Sequence, residues 1–403
     1  MEAQTDDPTM MLFAPETANA PHDAYRRMRE ECPVVRSQDA SISGAPGAAV
    51  LISRFEDLSW ALKHPEFLSS ADAVAIGNDR PLIPLQIDPP DHAKYRRLLD
   101  PEFSPKKMAA LEPDFRVLVN QVIDRFADGS GCDFHEEFAT PLPSTFFLRL
   151  TGLSLDDLPI FLQWRDNIIR PDVEPGDFDA AGEIRAATGR EIYAYFERAL
   201  DTRAEQRDDG LLSRLLDAEI DGERLTREEL LDICYLLIIA GLDTVTATLD
   251  CAIAHLARNS EARQQLVERP ELAPAVVEEL LRFESPVMMT PRTVKEDVTL
   301  ADVELKAGDT VTLLIGAGNL DEAEFDRAGS VDFERERNRH LAFGAGPHRC
   351  LGSHLARLEV QVALEEWHRR IPHYEVAPDA EVQFSPGIRQ AESLPLVFGA
   401  AGS

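Results

Sequence analysis

The stretch His340–Gly352, HLAFGAGPHRCLG, sets three glycines around a single cysteine. Gly344, Gly346 and Gly352 permit positive φ and let a flat ligand come close to the backbone. Cys350 then introduces a strongly helical run, Leu351–Arg370. A cysteine at a helix N-terminus meets the positive end of the helix dipole and free amide donors, both of which favour the thiolate. A thiolate held in this way is a ligand for a soft metal ion. By itself the loop also reads as a glycine-rich turn around an inert buried cysteine. Cys32, Cys132, Cys234 and Cys251 keep that second reading.

Outward from this loop, the composition narrows the field. The 403 residues carry 72 acidic and 41 basic side chains, a formal charge of −31. That balance disfavours nucleic acid, whose phosphates require a basic footprint, and an anionic bilayer surface. The longest apolar stretch, Cys234–Leu242, has nine residues, whereas a membrane span needs about twenty. The opening MEAQTDDP lacks a basic region followed by an apolar one, so no secretory signal is expected. Five scattered cysteines make no disulfide framework and suit a reducing cytosol. A cytoplasmic location is the expectation.

Helical periodicity dominates. It predicts helices over 22–31, 55–63, 94–109, 111–126, 183–200 and 351–370. Strand patterns occur at 49–53, 298–305 and 310–315. Residues 70–91 carry Pro81, Pro84, Pro89 and Pro90 and read as a long irregular loop of a kind that is often functional. Residues 227–258 read as one helix of about 32 residues, about 48 Å long. In its middle lies Ile239-Ala-Gly-Leu-Asp-Thr244, where Ala240 and Gly241 leave space. Thr244 can bond the carbonyl four residues back and open the helix locally. Asp243 beside it adds an acid to an alcohol, the ingredients of a proton relay. Equally, Asp243 can be solvated and Thr244 can merely back-bond.

The pattern Phe343-x-x-Gly346-x-x-x-Cys350-x-Gly352, with His348 two before the cysteine, resembles the haem-binding signature of cytochrome P450 enzymes. The resemblance implies haem b with Cys350 as axial iron ligand, Phe343 over the proximal face and His348 on a propionate. Gly344 and Gly352 belong to the same haem-binding loop, and Ala240 borders the haem from the central helix. Thr244 and Asp243 match the family's acid–alcohol pair on the oxygen-binding side, which implies that Asp243 feeds protons and Thr244 steadies the bound oxygen. His92 and Arg96 in DPPDHAKYRRLL resemble the family's propionate-binding helix, and Arg292 after Pro291 fits the other propionate. Glu279-Leu-Leu-Arg282 resembles the family's Glu-x-x-Arg pair, with Arg335 as the candidate third member ahead of Arg337 and Arg339. An exposed pair of this kind would be worth a few tenths of a kcal/mol.

The resemblance covers nearly the whole chain and implies one haem domain over 1–403, mainly α with a small β part, triangular, with a long central helix. It implies a soluble bacterial type, fed by a small iron–sulfur ferredoxin and an NAD(P)H-dependent ferredoxin reductase. By position the substrate pocket draws on the 70–86 loop, Leu237, Ala240, Thr244, Val287, Met288, Met289, Thr290, Ser393 and Leu394. These are mostly apolar, so a mid-sized hydrophobic substrate is expected, terpenoid, steroid-like or aromatic, with dioxygen as co-substrate. The expected function is a monooxygenase that hydroxylates or epoxidises it. The alternatives are a peroxide-driven or rearranging haem-thiolate enzyme, and a non-catalytic haem or ligand-binding protein. Against the −31 background, 334–370 has seven arginines and five glutamates, a local excess of two positive charges where an acidic ferredoxin would dock.

Overall fold

A computed structural model of the chain describes residues 15–37, 49–71, 76–174 and 176–399. The opening octapeptide and residues 72–75 of the proline-rich loop lie outside them. Helices predominate, and two consecutive ones, Arg227–Leu242 and Thr244–Arg258, are heavily buried and form the central helical segment. Their N-terminus is set by a capping box: Thr226 accepts from the Glu229 N–H while Glu229 accepts from the Thr226 N–H. The segment Arg227–Arg258 is long and apolar enough to cross a membrane, but most of its most apolar stretch is buried inside the protein.

The single helix expected over 227–258 is interrupted at Asp243, where φ is −105° and ψ −39°. Threonines cause the break. Thr244 Oγ1 donates to the Ala240 carbonyl at 3.0 Å, and Thr246 Oγ1 to those of Leu242 at 3.1 Å and Ala139 at 3.0 Å. Side-chain hydroxyls thus take over carbonyls that the backbone ladder would otherwise use. Gly241 also has a cause the sequence did not show. A Cβ there would come within 3.0 Å of the Phe147 ring, so the glycine seats a neighbouring helix as well as sparing the cavity.

Proline placement redraws another boundary. The run expected over 94–109 divides into the helix Asp91–Leu99, a 3-10 turn Asp100–Phe103 and the helix Pro105–Ile123. Pro105 sits in the first turn, where its missing N–H costs nothing. The strand expected over 298–305 is a hairpin, Val298–Leu300 paired with Val303–Leu305. Ala301 and Asp302 at its tip have φ of 49° and 62°, a turn with no glycine to announce it.

The main sheet has the order Val34–Ser37, Ala49–Ile52, Thr310–Leu313, Thr290–Val294, Leu68–Ser69. Early segments therefore join the late sheet that the strand patterns suggested. Val311 pairs with Arg292 in the antiparallel ladder, which fixes where Arg292 stands. Strand alternation then sends Thr290 and Arg292 to one face, and both reach the main cavity. The proline-rich loop is held to the helices: Arg80 makes a bidentate pair with Asp232 at 2.9 and 3.1 Å, and Tyr235 donates to the Ile76 carbonyl at 2.7 Å.

Candidate active site

A cavity of about 370 Å³ lies between the central helices and the cysteine loop. One wall carries Ala240, Gly241, Thr244 and Thr248; the other carries Phe343, Gly344, His348, Cys350 and Gly352. His92, Arg96 and Arg292 complete its rim, and Leu237, Val287 and Thr290 its apolar end. Pro84 and Leu85 of the proline-rich loop also reach it.

The cysteine loop is a compact turn. The Cys350 N–H donates to the Phe343 carbonyl at 2.8 Å, and Gly344 and Gly346 have φ of 66° and 68°. A side chain at Gly346 would strike the Leu62 carbonyl at 2.4 Å, so only glycine closes this loop against the helix Phe55–Lys63. The following helix spans Ser353–Arg370, two residues shorter than expected. Burial pushes the Cys350 thiol up, against the Gly352 N–H and the charges of Arg96, Arg349 and Arg357. Helix position alone therefore does not ionise it. A bound metal cation sharing the charge would, because a coordinated thiol is deprotonated outright.

Four of the expected polar residues converge on the rim. His92 is buried, and among the described residues its Nε2 has no hydrogen-bond partner. A buried polar atom left so is costly unless a ligand satisfies it. Its ring centroid lies 4.3 Å from that of His348. Burial, then His92 and Arg292, hold His348 neutral, with a pKa of about 3. His348 Nε2 contacts Ser70 Oγ at 3.1 Å. Arg292 is buried, which lowers its pKa to about 10; its Nη1 donates to Thr290 Oγ1 at 3.1 Å and to the Pro291 carbonyl at 2.6 Å. Arg96 is shared, donating through Nε to Asp100 at 2.7 Å and through Nη1 to the Arg349 carbonyl at 2.6 Å. A thiol on one wall and an imidazole and guanidinium groups around the rim are the donor set that a haem with two propionates requires.

Asp243 stands elsewhere than its neighbour suggests. Its carboxylate is fully buried and grips Arg170, at 2.6 and 3.1 Å, with Arg165 at 3.8 Å. It takes no part in the cavity wall, whereas Thr244 does. Met288, Met289, Ser393 and Leu394 also lie outside the wall. Val287 and Met288 point to opposite sides of an extended segment, so Met288 packs with Tyr25, Met28 and Leu51, and Met289 lies against the same cluster. Ser393 donates to Asp133, and Leu394 is a core residue beside Phe134.

Behind the loop, Glu279 and Arg282 are essentially inaccessible, at 1% and 0% exposure. Arg282 donates to both Glu279 oxygens, at 2.7 and 2.9 Å, and Arg335 Nε reaches the same carboxylate at 3.0 Å. Arg335 is thus the third member, while Arg339 pairs with Glu324. Arg282 also donates to the carbonyls of Asn319, Ala328 and Ser330.

Several apolar lining residues, and one titratable one, escaped the sequence reading. Glu359, on the cysteine helix, lines the cavity, is buried, and makes no hydrogen bond among the described residues. Its signal was a lone acid with Leu355 and Ala363 four residues to either side. Burial raises its pKa from near 4.5 to about 8. The folded state then holds a proton that the unfolded state loses, so stability falls as pH rises between about 4.5 and 8. Glu359→Gln is expected to gain on the order of a few kcal/mol over the parent at pH 8 and little at pH 4. Urea unfolding at both pH values reads this, and parallel profiles for the two proteins would contradict it.

Comparison with known proteins agrees with this geometry. The Cytochrome P450 family model matches residues 176–386. The chain is 33% identical to the mycinamicin IV hydroxylase/epoxidase of Micromonospora griseorubida, covering 87% of this chain and 89% of that one. It is 33% identical to the steroid C26-monooxygenase of Mycobacterium tuberculosis, covering 93% of each. Its fold superposes on CYP109E1 from Bacillus megaterium, solved with testosterone, at a TM-score of 0.88 and 29% identity, over 96% of this chain and all of the other. The chain belongs to the cytochrome P450 family of haem-thiolate monooxygenases.

Proposed function

We propose that this chain is a single-domain monooxygenase that holds haem b through Cys350 and hydroxylates or epoxidises a mid-sized hydrophobic molecule. The observation that carries this reading is the placement of Cys350 and Thr244 on facing walls of one cavity. When bound, haem supplies dioxygen activation, with the thiolate donating electron density. His92, Arg96, Arg292 and His348 orient its propionates, and Phe343, Gly344, Gly352 and Ala240 shape the slot it enters. Glu279, Arg282 and Arg335 keep the segments beneath the cysteine loop in register.

Thr244 spends its own proton on the Ala240 carbonyl. Its remaining lone pairs can accept a hydrogen bond from a water or hydroxyl in the cavity, which places a proton donor next to the reacting oxygen. Asp243 supplies protons to that group only when its pair with Arg170 opens. Thr244→Ala is therefore expected to lower product formation roughly 10²-fold, within what a positioned proton-handling group contributes, with electrons diverted to hydrogen peroxide. Unchanged product per electron consumed would remove Thr244 from this role.

The apolar end, formed by Leu85, Leu236, Leu237 and Val287, suits a hydrophobic skeleton. The steroid in the name of one relative supports the steroid-like class among the terpenoid, steroid-like and aromatic candidates, and the hydroxylase/epoxidase name of the other supports the reaction type. For electrons we infer a small iron–sulfur ferredoxin and its NAD(P)H-dependent reductase. Five of the seven arginines in 334–370 are internally paired, with Glu279, Glu324, Glu278, Glu366 and Asp124. Arg349 is exposed and, among the described residues, makes no ion pair, which leaves it available to an acidic partner at the cysteine side. Product formed with peroxide alone, and none with ferredoxin and reductase, would select the peroxide-driven alternative.

A further inference from the structure

Glu278 immediately precedes Glu279 but serves different partners. It accepts from Arg357 Nε at 2.6 Å and Nη2 at 2.8 Å, and meets His340 Nε2 at 3.1 Å. The Arg357 guanidinium carbon lies 4.3 Å from the centroid of the Phe343 ring, and the His340 ring lies 5.9 Å from it. Phe343 lines the cavity, and its carbonyl accepts the Cys350 N–H. A continuous run of contacts therefore leads from Glu278 through Arg357 and Phe343 to Cys350.

We propose that Arg357, held in plane by Glu278, is a positioning residue that fixes the Phe343 ring against the cysteine turn and keeps a positive charge beside the cysteine ligand, raising the electron affinity of the group bound there. This rests on the reading of Cys350 as the ligand. A flat guanidinium can stack on an aromatic face and bind a carboxylate bidentately at once; an ammonium cannot do both. Its side chain is only 28% exposed, so solvent screens its charge less than that of a surface arginine. A cation near a metal–thiolate centre stabilises the state with the extra electron, one of the levers that set such potentials. The other charges acting on Cys350 are held differently: Arg96 is shared with Asp100 and the Arg349 carbonyl, and Arg349 is exposed. Burial would raise the Glu278 carboxyl, but His340 and Arg357 hold it at about 2, so the carboxylate stays charged at neutral pH.

The test is the ferric–ferrous midpoint potential of the haem-loaded enzyme and of Arg357→Gln, Arg357→Lys and Glu278→Gln, with the ferrous carbonyl spectrum of each. The potential is expected to fall in Arg357→Gln, to rise in Glu278→Gln, and to lie nearer the parent in Arg357→Lys. Loosened packing alone would move the first two in the same direction, so a common direction, or no movement, overturns the proposal. If Arg357→Gln fails to load haem, the sign in Glu278→Gln decides: a rise supports the proposal, and a fall or no change overturns it. A parent enzyme without the red-shifted thiolate Soret band would instead sink the reading of Cys350, and this proposal with it.

Discussion

Cys350→Ala is expected to yield a folded protein that retains little haem and shows no turnover. The backbone of the turn survives the change, because the Cys350 N–H bond to the Phe343 carbonyl and the positive φ of Gly344 and Gly346 do not involve the sulfur. The side chain opens onto the cavity, so removing the sulfur leaves no unfilled hole in a packed core. Unfolding free energy without haem should stay within about 0.5 kcal/mol of the parent, the range for substitutions away from packed features. What disappears is the one soft ligand in the cavity wall among the described residues. His92 and His348 face the same space, but the rim they share offers no thiolate. The haem-to-protein ratio after purification, with circular dichroism as the control for folding, reads the outcome. A variant that keeps a full complement of haem and normal activity would remove Cys350 from the site.

Glu279→Gln is expected to cost about 3–5 kcal/mol, the loss found when one partner of a buried ion pair is removed. Against a total stability of about 5–15 kcal/mol, that is a large fraction. The reason is burial. Arg282 would keep its full charge with no solvent access and without its carboxylate partner, while Arg335, the Asp332 N–H and Asn338 would lose an ionic acceptor. Arg339→Gln is the internal control, since its pair with Glu324 leaves the arginine side chain 57% exposed and should be worth about 0–1 kcal/mol. The shift in urea midpoint for the two variants checks the contrast. Equal shifts would mean that the buried network carries no special weight.

The Glu279 pair shows what sequence could and could not supply. Its spacing placed both charges on one helical face, but spacing carries no information about depth, and depth multiplies the effect by about tenfold. Cys350 and its glycines were legible because the turn is local, closed by the Cys350 N–H on the Phe343 carbonyl with positive φ at Gly344 and Gly346, whereas the distant Leu62 carbonyl that also demands glycine at 346 was not. Arg292 was legible as an arginine after a proline, although its position comes from pairing with Val311, a contact between distant strands. Asp243 was legible as an acid beside Thr244 but its partner was not: the two neighbours send their side chains in different directions, toward Arg170 in one case and the cavity in the other, and Arg170 lies 73 residues away in the chain. Met288 failed by the same logic in an extended segment, where the alternation that sends Val287 inward sends its neighbour into the core. The break at Asp243 turns on the Thr244 hydroxyl, whose bond to the carbonyl four residues back was expected, while the hairpin at Ala301–Asp302 turns on positive φ values that periodicity does not register.

The most direct test of the account is the absorption spectrum of the reduced, carbon monoxide-bound protein. Thiolate ligation by Cys350 predicts a strongly red-shifted Soret band in the parent and its loss in Cys350→Ala. A parent protein whose band lies where a histidine-ligated haem places it, or a Cys350→Ala variant that keeps the red-shifted band, would contradict it.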